Sequence, residues 1–312
     1  MSVIVETYKD LMSRGDPRTV NWFLISSPFP LLCIISTYLY FCISLGPRIM
    51  QNRKPFTLRK TLIVYNFIQV VLSAYMVYEG SMAGWLTDYN WGCQPVDYAD
   101  TPKAMRMARG CYIYFSCKLI ELLDTIFFVM RKKDRQISFL HLYHHAMMPI
   151  CGWIGTRFVP GGHGTLLGVI NSFIHILMYA YYMLSAFGPE VQKYLWWKKH
   201  ITSMQLVQFV IILIHNVQLE FRECNFPRPL SRLLILNAVL FIYLFGSFYV
   251  RTYNNKGKTE KVTSAKPNGE ITNGIAKSNG YTNGSLSNGH AKSNGHAKSN
   301  GHAMSNGHTK AE

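Results

Sequence analysis

The chain has 312 residues and a formal net charge of +16, with 49% hydrophobic and only 15% charged residues. A soluble protein is typically about 25% charged, so this balance argues against a soluble globular fold and points to lipid. The Lys and Arg stand in short blocks between long apolar runs, a distribution that excludes a nucleic-acid footprint and fits contact with anionic lipid or an anionic substrate.

Residues 1–22 mix charges and lack an apolar core, so they read as an N-terminal segment without a cleavable signal. A membrane span needs about 20 mostly apolar residues. Seven windows are read as spans, at roughly 23–45, 61–79, 111–130, 138–157, 165–187, 201–219 and 232–250; the third and fourth are polar enough that hydropathy alone leaves them open. The loops orient these spans. Arg48, Arg53, Lys54, Arg59 and Lys60 follow the first, Arg131, Lys132, Lys133 and Arg135 the third, and Lys193, Lys198 and Lys199 the fifth. The alternate loops are poorer in cations or balance them with acids. Cytosolic loops are enriched in Lys and Arg, so the N-terminus is expected in the lumen and the C-terminus in the cytosol. The expected fold is all-α, a polytopic membrane protein with seven transmembrane helices. Its parts are a lumenal N-terminus over 1–22, a membrane catalytic domain over 23–250 and a cytosolic tail over 251–312. In that tail Ser-Asn-Gly-His recurs at 287–290, 293–296, 299–302 and 305–308. It holds too little apolar surface to offset ordering entropy, so it reads as disordered.

Ionisable groups inside spans are costly and face one another or a cavity. The third span carries Lys118, Glu121 and Asp124 in steps of three, along one helix face. The bland reading is an ion pair that only orders the bundle. The fourth opens with His141, followed by His144 and His145 at i+3 and i+4, three imidazoles on one stripe. The fifth bears Asn171, His175, Tyr179 and Tyr182, and the sixth Thr202, Gln205 and Gln208. The spans enter from alternating sides, so these four stripes meet at one depth in the cytosolic half. A polar pocket open to the cytosol is the simplest account.

Imidazole serves as base, acid, nucleophile or metal ligand. The spacing HxxHH is also that of membrane di-iron oxygenases and desaturases. Those use several such boxes, whereas one stands here, and His175, His200 and His215 add too few ligands at sensible spacings. No metal is expected, and metal-free acid–base or covalent catalysis is favoured.

Four blocks now carry a resemblance. They are Lys118-Leu-Ile-Glu121-Leu-Leu-Asp124-Thr125, the box HLYHH at 141–145, Asn171-Ser-Phe-Ile-His175-Ile-Leu-Met178-Tyr179-Ala-Tyr181-Tyr182, and Thr202-Ser-Met-Gln205-Leu-Val-Gln208. In order and spacing they resemble the signature blocks of the ELO family of very-long-chain fatty acid elongases, the condensing enzymes (3-ketoacyl-CoA synthases) of the endoplasmic reticulum. The resemblance covers about residues 20–255. It implies joining a long-chain acyl-CoA to malonyl-CoA, with release of CO2 and CoA, and six of the helices ringed around an acyl tunnel. It implies an acyl-histidine intermediate, for which His144 is the candidate by position, with His141, His145 and His175 moving protons or stabilising an enolate. Lys118, Glu121, Asp124, Asn171, Tyr179, Tyr182, Thr202 and Gln205 are the candidate substrate-binding groups. No cofactor is implied, because both CoA esters are substrates. The partners implied are those esters, membrane lipid, the reductases and dehydratase of the elongation cycle and, as an open alternative, a second copy of the chain; nucleic acid is not among them. Lys310, third from the end, is half of a dilysine-type retrieval signal and agrees with the endoplasmic reticulum. Cys93 and Cys224, alone among the seven Cys, fall in loops assigned to the lumen. That compartment is oxidising, so a Cys93–Cys224 disulfide is expected. Two rivals stay open: a membrane di-iron desaturase or hydroxylase, separable by metal analysis, and a seven-helix receptor. The usual receptor signatures at the ends of the third and seventh spans are missing.

Overall fold

The computed structural model describes residues 2–254, so the repeat tail expected over 251–312 lies, from residue 255 onward, outside the described residues. The described residues contain helices and no strand. A first helix, α1 (Ser2–Ser13), precedes the spans; the expected N-terminal segment had no structure assigned to it. Then come α2 (Pro28–Met50) and α3 (Arg59–Trp85), α4 (Pro102–Ile120), α5 (Leu123–Met130) and α6 (Phe139–Phe158). The last three are α7 (Thr165–Ala186), α8 (Lys198–Glu220) and α9 (Arg228–Tyr253).

Local chemistry explains several starts. Ser27 caps α2 and Thr101 caps α4, each accepting a backbone N–H, with Pro28 and Pro102 in the first turn. Ser138 accepts from His141 N at 3.3 Å at the head of α6. Such caps satisfy amides that have no partner within the helix, and proline loses nothing at that position. The turn into α7 needs Gly162, whose φ is +68°. A Cβ there would also sit 3.0 Å from Gln94 O and Pro95 C.

Five helices, α2, α3, α7, α8 and α9, are long and apolar enough to cross a membrane. The other two expected spans fall short for visible reasons. The third is two helices, because α4 ends at Ile120 and α5 begins at Leu123, and α4 carries Lys103, Arg106, Arg109 and Lys118. The fourth, α6, carries three His and Arg157. The surface has the pattern of a multi-pass membrane protein. On α3, Val64, Phe67, Ile68 and Val71 are exposed while Asn66, Gln69 and Ser73 are buried. That inverts the water-soluble arrangement, as lipid on the outside requires.

α3 packs along α7, α7 on α8 and α8 on α9, while α4 packs on both α3 and α6. The α6–α9 contact closes this set: Tyr143 Oη donates to Asn237 Oδ1 at 3.3 Å, and the His144 ring lies 5.5 Å from that of Phe241. α2 stands outside the set, against α6. There Leu31, Ile35 and Tyr38 meet Phe115 and Trp153 in one apolar cluster. Lipid is as apolar as these side chains, so close packing and hydrogen bonds hold the helices together.

One end of the bundle is tied by long-range contacts. Cys93 and Cys224, 131 residues apart in sequence, are joined in a disulfide. The segment between α1 and α2 is held by Trp153 Nε1, which donates to Leu24 O at 2.8 Å. It is also held by buried Arg157, which donates to Met12 O at 2.7 Å and Val20 O at 3.2 Å.

Candidate active site

A cavity with about 1270 Å³ of empty space, part of it open to the exterior, runs between α3, α4, α6, α7, α8 and α9. No residue of α2 lines it. The wall is mostly apolar, with Met148, Val169, Phe209 and Leu234 among its members, and its polar groups include His144, Asn171, Gln208 and Asn237. Apolar walls with few placed polar groups are the usual form of a ligand cavity. Of the four His expected at the site, His144 alone lines this cavity.

Helix geometry separates the box. His141 and His145, at i and i+4, lie ring to ring at 4.2 Å. His144 is turned edge-on to His145 at 5.3 Å, because neighbours in sequence point about 100° apart on a helix. The single stripe read from the sequence is therefore two faces. On the first, His141 Nε2 is 2.8 Å from Thr125 Oγ1, which is 2.7 Å from Tyr38 Oη. Thr125 belongs to α5 and Tyr38 to α2, so three helices fix one imidazole.

Across the site, Lys118 Nζ donates to both oxygens of Glu121 at 2.8 and 2.9 Å. His175 Nδ1 lies 3.2 Å from Glu121 Oε1 and 3.4 Å from Lys118 Nζ. All three side chains are buried. A buried ion pair requires every remaining donor and acceptor to be used, and here the imidazole supplies the third partner. Nδ1 of His175 thus faces both members of the pair: as N–H it donates to Glu121, and in the other tautomer it accepts from Lys118. Asp124 has a different partner: Tyr179 Oη donates to its Oδ2 at 2.8 Å. Asn171 Oδ1 accepts from Tyr114 Oη at 3.0 Å, and Lys118 Nζ stands 4.9 Å from the centre of the Tyr114 ring.

Of the expected site residues only His144 and Asn171 line the cavity; Lys118, Glu121, Asp124, His175 and Tyr179 form their network outside its wall, and the others stand apart from both. Gln205 turns its amide toward Met178 Sδ at 3.7 Å. Thr202 is buried outside the lining, and Tyr182 is half exposed with its ring 6.1 Å from that of Tyr179. Three contributors had been missed. Tyr114 and Thr125 lie on the stripe through Lys118 and Glu121, four residues before and seven after Lys118, so the helical period was a usable signal. Tyr38 comes from a distant helix and had no local signal.

Comparison with known proteins identifies the family. Residues 23–261 match the model of the ELO, or GNS1/SUR4, family. The chain is 48% identical to very long chain fatty acid elongase 7 of Drosophila melanogaster over 296 residues, covering 91% of this chain and 89% of that one. It is also 48% identical to very long chain fatty acid elongase 1 of Homo sapiens, covering 83% of this chain and 93% of the relative. Very long chain fatty acid elongase 7 of Rattus norvegicus is again 48% identical, over 82% of this chain and 92% of its own length. The four polar blocks all fall within the matched residues, and the chain belongs to the ELO family.

Proposed function

We propose that the chain is the condensing enzyme of fatty acid elongation: it joins a long-chain acyl-CoA to malonyl-CoA and yields a 3-ketoacyl-CoA two carbons longer, CO2 and CoA. The observation that carries the mechanism is that one imidazole of the box, His144, faces the apolar cavity while the others are engaged behind it. A nitrogen of neutral His144 attacks the thioester carbonyl. The C–S bond breaks, the imidazole proton passes to the departing thiolate, and an acyl-imidazole remains. Malonyl-CoA then loses CO2, and the electrons of that C–C bond form the new bond to the acyl carbon. The C–N bond to His144 breaks, and the imidazolide takes up a proton. Decarboxylation supplies the carbon nucleophile, so no cofactor is required.

His175, held by Glu121 and Lys118 outside the cavity lining, acts on these steps as a positioning and electrostatic group behind the wall. Asn171, pinned by Tyr114, presents its amide N–H2 to a carbonyl oxygen as negative charge develops there. The six helices that wall the cavity act as a ring around the acyl tail, and with α2 they make seven spans. The loop charges set the N-terminus in the lumen and the C-terminus in the cytosol of the endoplasmic reticulum membrane. The disulfide end is then lumenal, and the CoA groups enter from the cytosolic side.

The test is product analysis. Purified protein in detergent, given malonyl-CoA and a long-chain acyl-CoA, is expected to yield the 3-ketoacyl-CoA two carbons longer. Absence of that product overturns the proposal, and an oxidised acyl chain of unchanged length would point instead to a desaturase or hydroxylase.

A further inference from the structure

Glycine is a poor helix former, so each helical glycine calls for a reason. Packing supplies it at two positions on the cavity wall. A Cβ on Gly80 would meet Val169 Cγ2 at 2.4 Å, and one on Gly152 would meet the Phe115 backbone at 3.2 Å. Those glycines let α3 approach α7 and α4 approach α6. Two others on the same wall, Gly110 of α4 and Gly155 of α6, would meet nothing within 4 Å. Their helical neighbours Met107, Cys111 and Tyr114, and Cys151, Gly152 and Val159, also line the cavity, so both glycines look into the empty space.

The two glycines share a level. Thr125 meets His141 and Phe115 meets Gly152, so the chain through α4 and α5 runs antiparallel to α6. Gly110 therefore falls beyond the crossing on the side of Gly155, away from His144. Gly155 is eleven residues past His144, about 16 Å along a helix axis. An extended hydrocarbon with C–C bonds near 1.5 Å advances about 1.25 Å per carbon, so that level corresponds to roughly the thirteenth carbon of an acyl group held at His144.

We infer that Gly110 and Gly155 keep the bore open at this level and thereby set which acyl chains are accepted: with glycine at both positions, chains longer than about 13 carbons pass. The inference rests on the proposed condensation. It assigns a specificity role to two positions where an added side chain would meet only open space.

The test uses the full chain and its Gly155→Leu, Gly155→Ala and Gly110→Leu variants, with malonyl-CoA and acyl-CoA primers of about 10 to about 20 carbons, lengths bracketing the 16 Å level. Gly155→Leu and Gly110→Leu are expected to lower turnover of roughly 18-carbon primers at least about tenfold while primers of about 10 carbons stay within about twofold of the unsubstituted chain. Gly155→Ala, with one added carbon, is expected to give the same trend in smaller measure. The short primers report folding within each variant. Unchanged length dependence in the leucine variants overturns the inference, as does equal loss at all lengths in both Gly155 variants. If the unsubstituted chain elongates no primer, it is the condensation reading that fails.

Discussion

His141 is held from two sides, by the Thr125 hydroxyl at 2.8 Å and by the ring of His145 at 4.2 Å. It lies outside the cavity lining, so its effect on chemistry is transmitted through the orientation of its neighbours and the hydroxyl chain to Tyr38. Thr125→Val keeps the volume close to that of threonine and removes both hydrogen bonds of that hydroxyl. A net buried hydrogen bond is worth about 0.5–1.5 kcal/mol, so kcat is expected to fall by about tenfold or less, with KM for acyl-CoA nearly unchanged. Steady-state kinetics check this; a rise in KM at constant kcat would move Thr125 into substrate binding. Which histidine faces the cavity was not legible in the sequence. The spacing HxxHH gives the angles between the rings but not the side on which another helix lies. Lys118, Glu121 and Asp124 were more legible, because charges inside an apolar run need partners. The partners stand at i+3 for Lys118 and across to Tyr179 for Asp124.

Among the elements, α6 joins the two ends of the molecule. Its first turns carry the box, and its last turn carries Arg157, buried, without a salt bridge among the described residues, and donating to backbone carbonyls of residues 12–26. Together with Trp153, this guanidinium fastens the chain between α1 and α2 onto the bundle. Arg157→Met keeps much of the apolar stem but leaves those carbonyls without their donor. The expected cost is about 2–4 kcal/mol, of the size found when one partner of a buried charged hydrogen-bond network is removed. Thermal unfolding in detergent and faster proteolysis between residues 13 and 27 would report it. The same element shows where hydropathy loses its hold. Polar side chains lower the hydropathy of α6 and of α4 with α5, so length and composition pick out five helices able to cross a membrane, while the alternation of loop charge is the ground on which seven are proposed. The break at Glu121–Leu122 and the helix Ser2–Ser13 also escaped the sequence: the first is marked by no proline or glycine, and the second lies outside any apolar run. The starts of α2, α4 and α6 were legible in principle, since each has a Ser or Thr cap and two have proline behind it.

At the scale of the whole molecule, an apolar outer face, buried polar stripes and one elongated cavity belong to a single physical design. Lipid permits the apolar exterior, and the interior polar groups are affordable only because they satisfy one another or meet a substrate. The sequence made the outer pattern readable, while the shape of the cavity depends on how the helices pack. Gly110 and Gly155 illustrate the limit: their role appears only once the empty space beside them is seen. The placement of His144 on the wall of that space has a direct chemical consequence. After incubation with a long-chain acyl-CoA and no malonyl-CoA, mass spectrometry of the purified protein should find one acyl group attached, mapping to His144, absent from His144→Ala and discharged when malonyl-CoA is added. An adduct of equal extent in His144→Ala, or condensation that proceeds in that variant at the rate of the unsubstituted chain, would contradict it.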